Sequence, residues 1–197
     1  MTHGRSLLRQ SVWAALVMIL SITLHFWLLD LADRLVSTYP SVTDLLLLNI
    51  PLLRVGLIGE SWFLAYLLIF AWLHFRHQRE RTPRLFLAIA LFYLIRGLFL
   101  FLFPIGSPVG KPEDAFAIYP HADHGYFPGG HVGLMTLLAL SLADRRWRLG
   151  LFAAAIIFGL GTMLTRAHYT ADTMAGMINA FAVTAFFGLA PVVRWRL

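Results

Sequence analysis

The chain has 197 residues, of which 59% are hydrophobic and only 13% charged, about half the charged share of an average soluble domain. With a mean hydropathy of +0.72, this composition excludes a water-soluble globular fold and a disordered tail, because too little polar surface exists to face water. Cysteine is absent, which excludes disulfides, thiolate metal sites and cysteine catalysis.

Six apolar runs follow one another. The first, Val12–Leu29, lies behind Arg5 and Arg9. It is long for a signal-peptide core and lacks a small-x-small cleavage site, so it reads as a retained span. The connection Val36–Pro51 carries Asp44 ahead of Leu45–Leu48. Thr43 or Ser41 stands where a cap for a short interfacial helix is expected. The next runs are Leu57–Phe75 and Leu85–Phe103, followed by a long polar connection, Pro104–Gly130, rich in proline and glycine. A connection of this length in a compact protein is usually functional. The last three runs are Val132–Ala143, Leu149–Thr165 and Thr173–Ala190. Most of the six are long enough to cross the hydrocarbon layer, and inside it only helices satisfy their own backbone.

The charges set the expected topology. The N-terminus, the second-to-third and fourth-to-fifth connections and the C-terminus together hold eleven arginines against Glu80 and Asp144, a net +9. The rest of the chain carries five basic and eight acidic residues, a net −3. If the spans alternate, every arginine-rich segment falls on one side, and the positive-inside rule makes that side cytoplasmic. The overall +6 is then an orientation signal, and nucleic acid is not an expected partner. The expected fold is an all-α integral membrane protein with six transmembrane helices and both termini cytoplasmic. A single membrane domain covers residues 1–197, with its catalytic core in 85–190 and an interfacial segment at 36–50. The expected location is a bacterial cytoplasmic membrane, with the site facing the periplasm or exterior.

Three features carry chemistry. Phe127-Pro128-Gly129-Gly130-His131 precedes the fourth span. Glycines at a helix start leave amides open to an anion, beside the partial positive charge of the helix end. A plain glycine turn with an interfacial histidine is the other reading. Arg166-Ala167-His168-Tyr169-Thr170-Ala171-Asp172 joins the fifth and sixth spans. On a helix, His168 and Asp172 would share a face. The carboxylate would then fix one imidazole nitrogen and leave the other basic. Asp172 also suits a cap for the last span. Arg96 lies inside the third run, where an arginine is costly unless it is paired or faces a polar cavity. The fourth run is short, about 18 Å as a helix, which places His131 below the membrane surface.

Pro128-Gly129-Gly130-His131 resembles the P-S-G-H motif of the type 2 phosphatidic acid phosphatase superfamily, the lipid phosphate phosphatases. Arg166, His168 and Asp172 resemble its third motif. His168-Tyr169-Thr170-Ala171-Asp172 is most similar to the H-Y-T-x-D signature of the sphingomyelin synthase-like branch. Tyr93-Leu94-Ile95-Arg96, followed by Pro104, and Pro40 with Asp44-Leu45-Leu46 are similar to that branch too. The resemblance spans roughly Pro40 to Ala180. It implies a helical bundle of the lipid phosphatase type and a two-step phosphoryl transfer. His168 would become a phosphohistidine, Asp172 would orient it, and His131 would act as acid and then base. Arg96, Arg166 and the amides near Gly129 and Gly130 would hold the phosphate oxygens. Tyr93, Tyr169, His121, Asp123 and His124 would line the substrate. The scheme requires no metal or cofactor. The implied partners are a phosphate-bearing membrane lipid and the bilayer, with phosphate or a phospho-head group passed to water or a lipid alcohol. Gly129 stands where the family has serine and Ile89 where it has lysine; Lys111 would then substitute for the lost cation as a phosphate ligand.

Two other functions are consistent with the residues. A metal-dependent membrane hydrolase would use the His121, Asp123, His124 loop together with His131. A non-catalytic lipid carrier or assembly subunit would use Arg96 and Asp172 as an intramembrane pair. The sequence leaves the oligomeric state unspecified.

Overall fold

A computed structural model of the chain describes residues 2–53, 58–111 and 127–189. The described residues are all-helical. In chain order the helices are α1 (Thr2–Leu35), α2 (Leu45–Asn49), α3 (Ile58–His77), α4 (Thr82–Leu102), α5 (Gly130–Ser141), α6 (Arg145–Leu164) and α7 (Thr170–Phe186), with a 3-10 turn at Arg79–Arg81 before α4. Among the described residues each of the six apolar runs falls largely within one helix. The polar flanks extend α1 well beyond its run, because arginine and glutamine are good helix formers.

Three described stretches, Ser6–Leu35, Arg79–Leu102 and Arg145–Leu164, are long and apolar enough to cross a membrane. Their outward faces keep large apolar side chains exposed, among them Trp13, Leu20 and Trp27 on α1, Leu98 on α4 and Ile157 on α6. Water would penalise such a contiguous surface and hydrocarbon does not. These are the features of a helical membrane protein.

The helix ends follow simple capping rules. Asp44, rather than Thr43 or Ser41, caps α2, and its carboxylate accepts from the amides of Leu46 and Leu47 at 3.0 and 3.2 Å. It stands immediately before the first helical residue, where an N-cap must be. Asp144 caps α6 in the same way through Arg146 and Trp147. Between α5 and α6 the chain turns within three residues, held by the Gln78 side chain, which accepts from the Ala143 amide at 2.9 Å.

α5 is the hub. Only His131 and Leu134 of its twelve residues escape full burial. It packs against α7, α6, α3 and α4, while α1 lies along α4. The core around it includes Phe92, Met135, Leu137, Phe158 and Val183. The Tyr66 hydroxyl on α3 donates to the Met135 carbonyl at 2.5 Å. Two helix pairs run parallel. Arg9 and His25 of α1 lie beside Arg84 and Arg96 of α4 respectively. Gly129 and Gly133, at the start of α5, lie beside Asp172 and Gly176 of α7.

Candidate active site

The two histidine segments meet main chain to main chain. The Gly129 amide donates to the Asp172 carbonyl at 2.8 Å. A Cβ on Gly176 would sit 2.2 Å from the Gly129 carbonyl oxygen, and one on Gly129 would sit 2.9 Å from the Asp172 carbonyl. Neither position holds a larger residue without moving the backbone, so glycine is required here for close approach. One turn further on, a Cβ on Gly133 would lie 2.8 Å from the Gly176 carbonyl.

The turn between α6 and α7 aims His168. After α6 ends, Arg166 takes a left-handed conformation with φ of 53°. The amides of Ala167 and His168 then both donate to the Thr162 carbonyl, at 2.9 and 3.2 Å. Tyr169 is the N-cap of α7 and Asp172 occupies its third position. The Asp172 carboxylate turns back to accept from the Tyr169 amide at 3.0 Å, and the same oxygen lies 3.3 Å from His168 Nδ1. His168 therefore pairs with Asp172 across the start of the helix and not along a shared helical face, since His168 itself precedes α7. Helix cap and orienting carboxylate are the same group. With Nδ1 as donor to Asp172, Nε2 carries the imidazole lone pair; this tautomer is assigned from the geometry.

His131, the second residue of α5, stands opposite His168, with the two ring centroids 6.5 Å apart. Phe63 meets the His131 ring edge-to-face at 4.7 Å, and Phe158 stands 6.3 Å away. The pair of imidazoles thus has an apolar wall on the His131 side and a buried carboxylate on the His168 side.

Beneath this turn lies Arg96 of α4. Its Nε donates to the Pro128 carbonyl at 2.9 Å, and its Nη1 donates to His25 Nε2 at 2.6 Å. Gly130 makes room for it, since a Cβ there would stand 2.8 Å from Arg96 Nε. Arg96 is the inward-facing cation expected from the sequence, and it also braces the glycine turn. His25, on α1, is the residue that sequence reasoning missed. It is 1% exposed, and its ring packs edge-on against Tyr93 at 5.3 Å. Its Nδ1, which carries the proton when Nε2 accepts, is buried without a partner. The available signal was a lone histidine inside the apolar run Val12–Leu29, a position that by default marks function.

The other expected phosphate ligands hold loops. Arg166 donates to the Val109 and Leu47 carbonyls at 3.0 and 3.3 Å. The Gly129 amide is committed to Asp172, whereas Gly130 opens α5, where first-turn amides have no acceptor within the helix. Tyr169 is buried, and its hydroxyl donates to the Ser107 carbonyl and accepts from the Val42 amide, at 3.0 and 3.1 Å. Tyr93 stands beside His25. Lys111 ends the described part of the loop, its amide donating to the Pro108 carbonyl at 3.2 Å. His121, Asp123 and His124 lie outside the described residues. Among the described residues no group of three or more His, Asp or Glu side chains is placed to share a metal ion.

Asp44 ties α2 to this end of α7. Its carboxylate accepts from the Thr170 amide at 2.7 Å and from the Thr170 hydroxyl at 3.2 Å. Burial opposes its charge, but the bonds from Thr170, Leu47 and Leu46 outweigh that, and the carboxyl is held below its ordinary value. No protein-family model and no curated protein matches this chain.

Proposed function

We propose that the protein is an integral-membrane lipid phosphatase or phosphotransferase working through a phosphohistidine. The reading is carried by one observation: two imidazoles face each other across 6.5 Å, one of them on a buried carboxylate. His168 Nε2 attacks phosphorus in line, the bond from phosphorus to the lipid oxygen breaks, and His131 gives that oxygen a proton. His131 then takes a proton from water or a lipid alcohol. The new oxygen attacks phosphorus, and the bond to His168 breaks. Asp172 orients His168 and offsets the charge it gains. Arg96, Arg166, Lys111 and the amide at Gly130 are the proposed holders of the phosphate oxygens, with Arg166 leaving its loop carbonyls to do so, while the Gly129 amide stays on the Asp172 carbonyl.

The six helices cross the membrane with both termini in the cytoplasm and the histidines toward the exterior. Parallel packing of α1 with α4 and of α5 with α7 supports this, because alternation requires the first and third spans, and the fourth and sixth, to run the same way. The short α5 supports a recessed site that a lipid phosphate enters sideways from the leaflet.

The deciding experiment traps the intermediate with a panel of phosphate-labelled lipids. Acid-labile label mapping to His168, and loss of turnover in His168→Ala, is the expected result. Label on neither histidine, or full turnover in His168→Ala, overturns the mechanism. Lipid movement without phosphate release, unaffected by His131→Ala, would establish a carrier instead.

A further inference from the structure

A cavity lies at the far end of the bundle. It is a groove of about 610 Å³ between the start of α1 and the start of α4. Arg84 precedes Arg96 by twelve residues on α4, which at 1.5 Å per residue puts the groove about 18 Å from the guanidinium under the histidine turn. The two sites are separate.

Its lining changes character along the helix axes. Arg9 and Gln10 of α1 and Arg84 of α4 line its polar end. Further along the helix axes the lining is Trp13 and Val17 of α1, both exposed, and Leu87 of α4. Arg9, Trp13 and Val17 are spaced by four and share one helix face. Arg9 and Arg84 are both exposed, and among the described residues neither has a carboxylate within ion-pair reach. Glu80, four residues before Arg84, makes no ion pair either. Two like charges therefore face one cleft without a protein anion between them, which is unfavourable until an anion arrives. A free anion would answer the charge but leave the Trp13, Val17 and Leu87 walls unexplained. A phosphate joined to an alkyl chain answers both, and Trp13 has the amphipathic ring that sits at a headgroup boundary.

We propose that this groove holds one anionic glycerophospholipid of the surrounding leaflet, its phosphate between Arg9 and Arg84 and its chain along Trp13, Val17 and Leu87. The site requires a membrane-embedded chain but not the phosphohistidine chemistry, and binding is read without turnover.

The test titrates delipidated full-length protein in detergent with phosphatidylglycerol or phosphatidylcholine and counts retained lipids by native mass spectrometry. One phosphatidylglycerol is retained with a preference of roughly tenfold or more, the scale expected of two arginines at a membrane surface. Arg9→Gln/Arg84→Gln abolishes the preference. Arg145→Gln/Arg146→Gln, an exposed basic pair outside the groove, leaves it intact. Phosphatidylglycerol with brominated chains quenches the fluorescence that Trp13→Phe removes, which locates the chain without touching the charges. Equal loss in both arginine pairs would mean general surface attraction and would overturn the site. Full competition by soluble glycerol phosphate would overturn the lipid and leave only a free-anion site.

Discussion

Replacing Gly176 by alanine tests how the spacing of the two histidines in the proposed mechanism is set. The added Cβ would lie 2.2 Å from the Gly129 carbonyl oxygen, against an ordinary contact that begins near 3.4 Å. The Gly129 turn must therefore retreat from α7 by about 1 Å, and it carries His131 with it. A misplacement of about 1 Å at reacting groups costs on the order of a hundredfold in rate. Stability changes less. Overpacking costs about 1–3 kcal/mol, while alanine in place of glycine inside a helix returns about 1 kcal/mol. The net loss is then about 0–2 kcal/mol, and the variant folds. The assay is turnover of the best lipid substrate in detergent, beside thermal unfolding of the same preparation. Gly161→Ala is the matched control: it also lies inside a helix, and a Cβ there meets nothing within 4 Å. It should leave turnover unchanged and stability equal or slightly higher. Turnover of Gly176→Ala within twofold of the parent would refute the idea that main-chain contact sets the distance between the histidines.

Further outcomes follow from other contacts. His25→Leu removes one acceptor of the buried Arg96 Nη1, a loss of about 1–3 kcal/mol, visible as a lower unfolding temperature in detergent. Because Arg96 also holds the Pro128 carbonyl, turnover falls roughly tenfold. His25→Gln, which offers an amide oxygen to the same donor, recovers most of both; failure of that rescue would make His25 a packing residue only. Asp44 gives a pH dependence of defined sign. Its carboxyl is held below the ordinary value, so its contribution is present above about pH 4 and is lost as pH falls through the lower folded value. Stability of the parent should therefore decline on acidification, and Asp44→Asn should flatten that decline. An unchanged slope in Asp44→Asn would assign the acid sensitivity elsewhere. Tyr169→Phe removes one donor to the Ser107 carbonyl and should cost about 1 kcal/mol, with His168 still on Asp172; large loss of turnover at unchanged stability would show a direct role.

The helices were readable because hydrocarbon imposes a single rule: a long apolar run must satisfy its own backbone, and each of the six runs became a helix. The pairing of His168 with Asp172 was readable from spacing, although the reason differs, since the residues meet through a helix cap. Roles that depend on distant partners were not readable. Arg166 is a plausible anion ligand by type, but its left-handed backbone turns the side chain toward the Val109 and Leu47 carbonyls. Gly129 was legible as an open amide, yet that amide is taken by Asp172, 43 positions away along the chain. Gly176 carried no signal at all, because a glycine in an apolar helix declares its purpose only when the neighbouring main chain is known. His25 was overlooked because it sits in the run that carries none of the motif residues.

The envelopment of α5 has a consequence for how the membrane acts on this protein. A twelve-residue helix exposed to lipid would be mismatched to the hydrocarbon thickness, and the bilayer would have to thin or the helix shift. Surrounded by its neighbours, α5 meets protein on nearly every side. Thickness strain then falls on the surrounding helices, among them α1, α4 and α6, the described ones long and apolar enough to span, which can tilt. If α5 lies at membrane depth as proposed, the depth of His131 is referenced to the other helices and not to the bilayer, so membranes of different thickness should change how the bundle leans while leaving the two imidazoles in register.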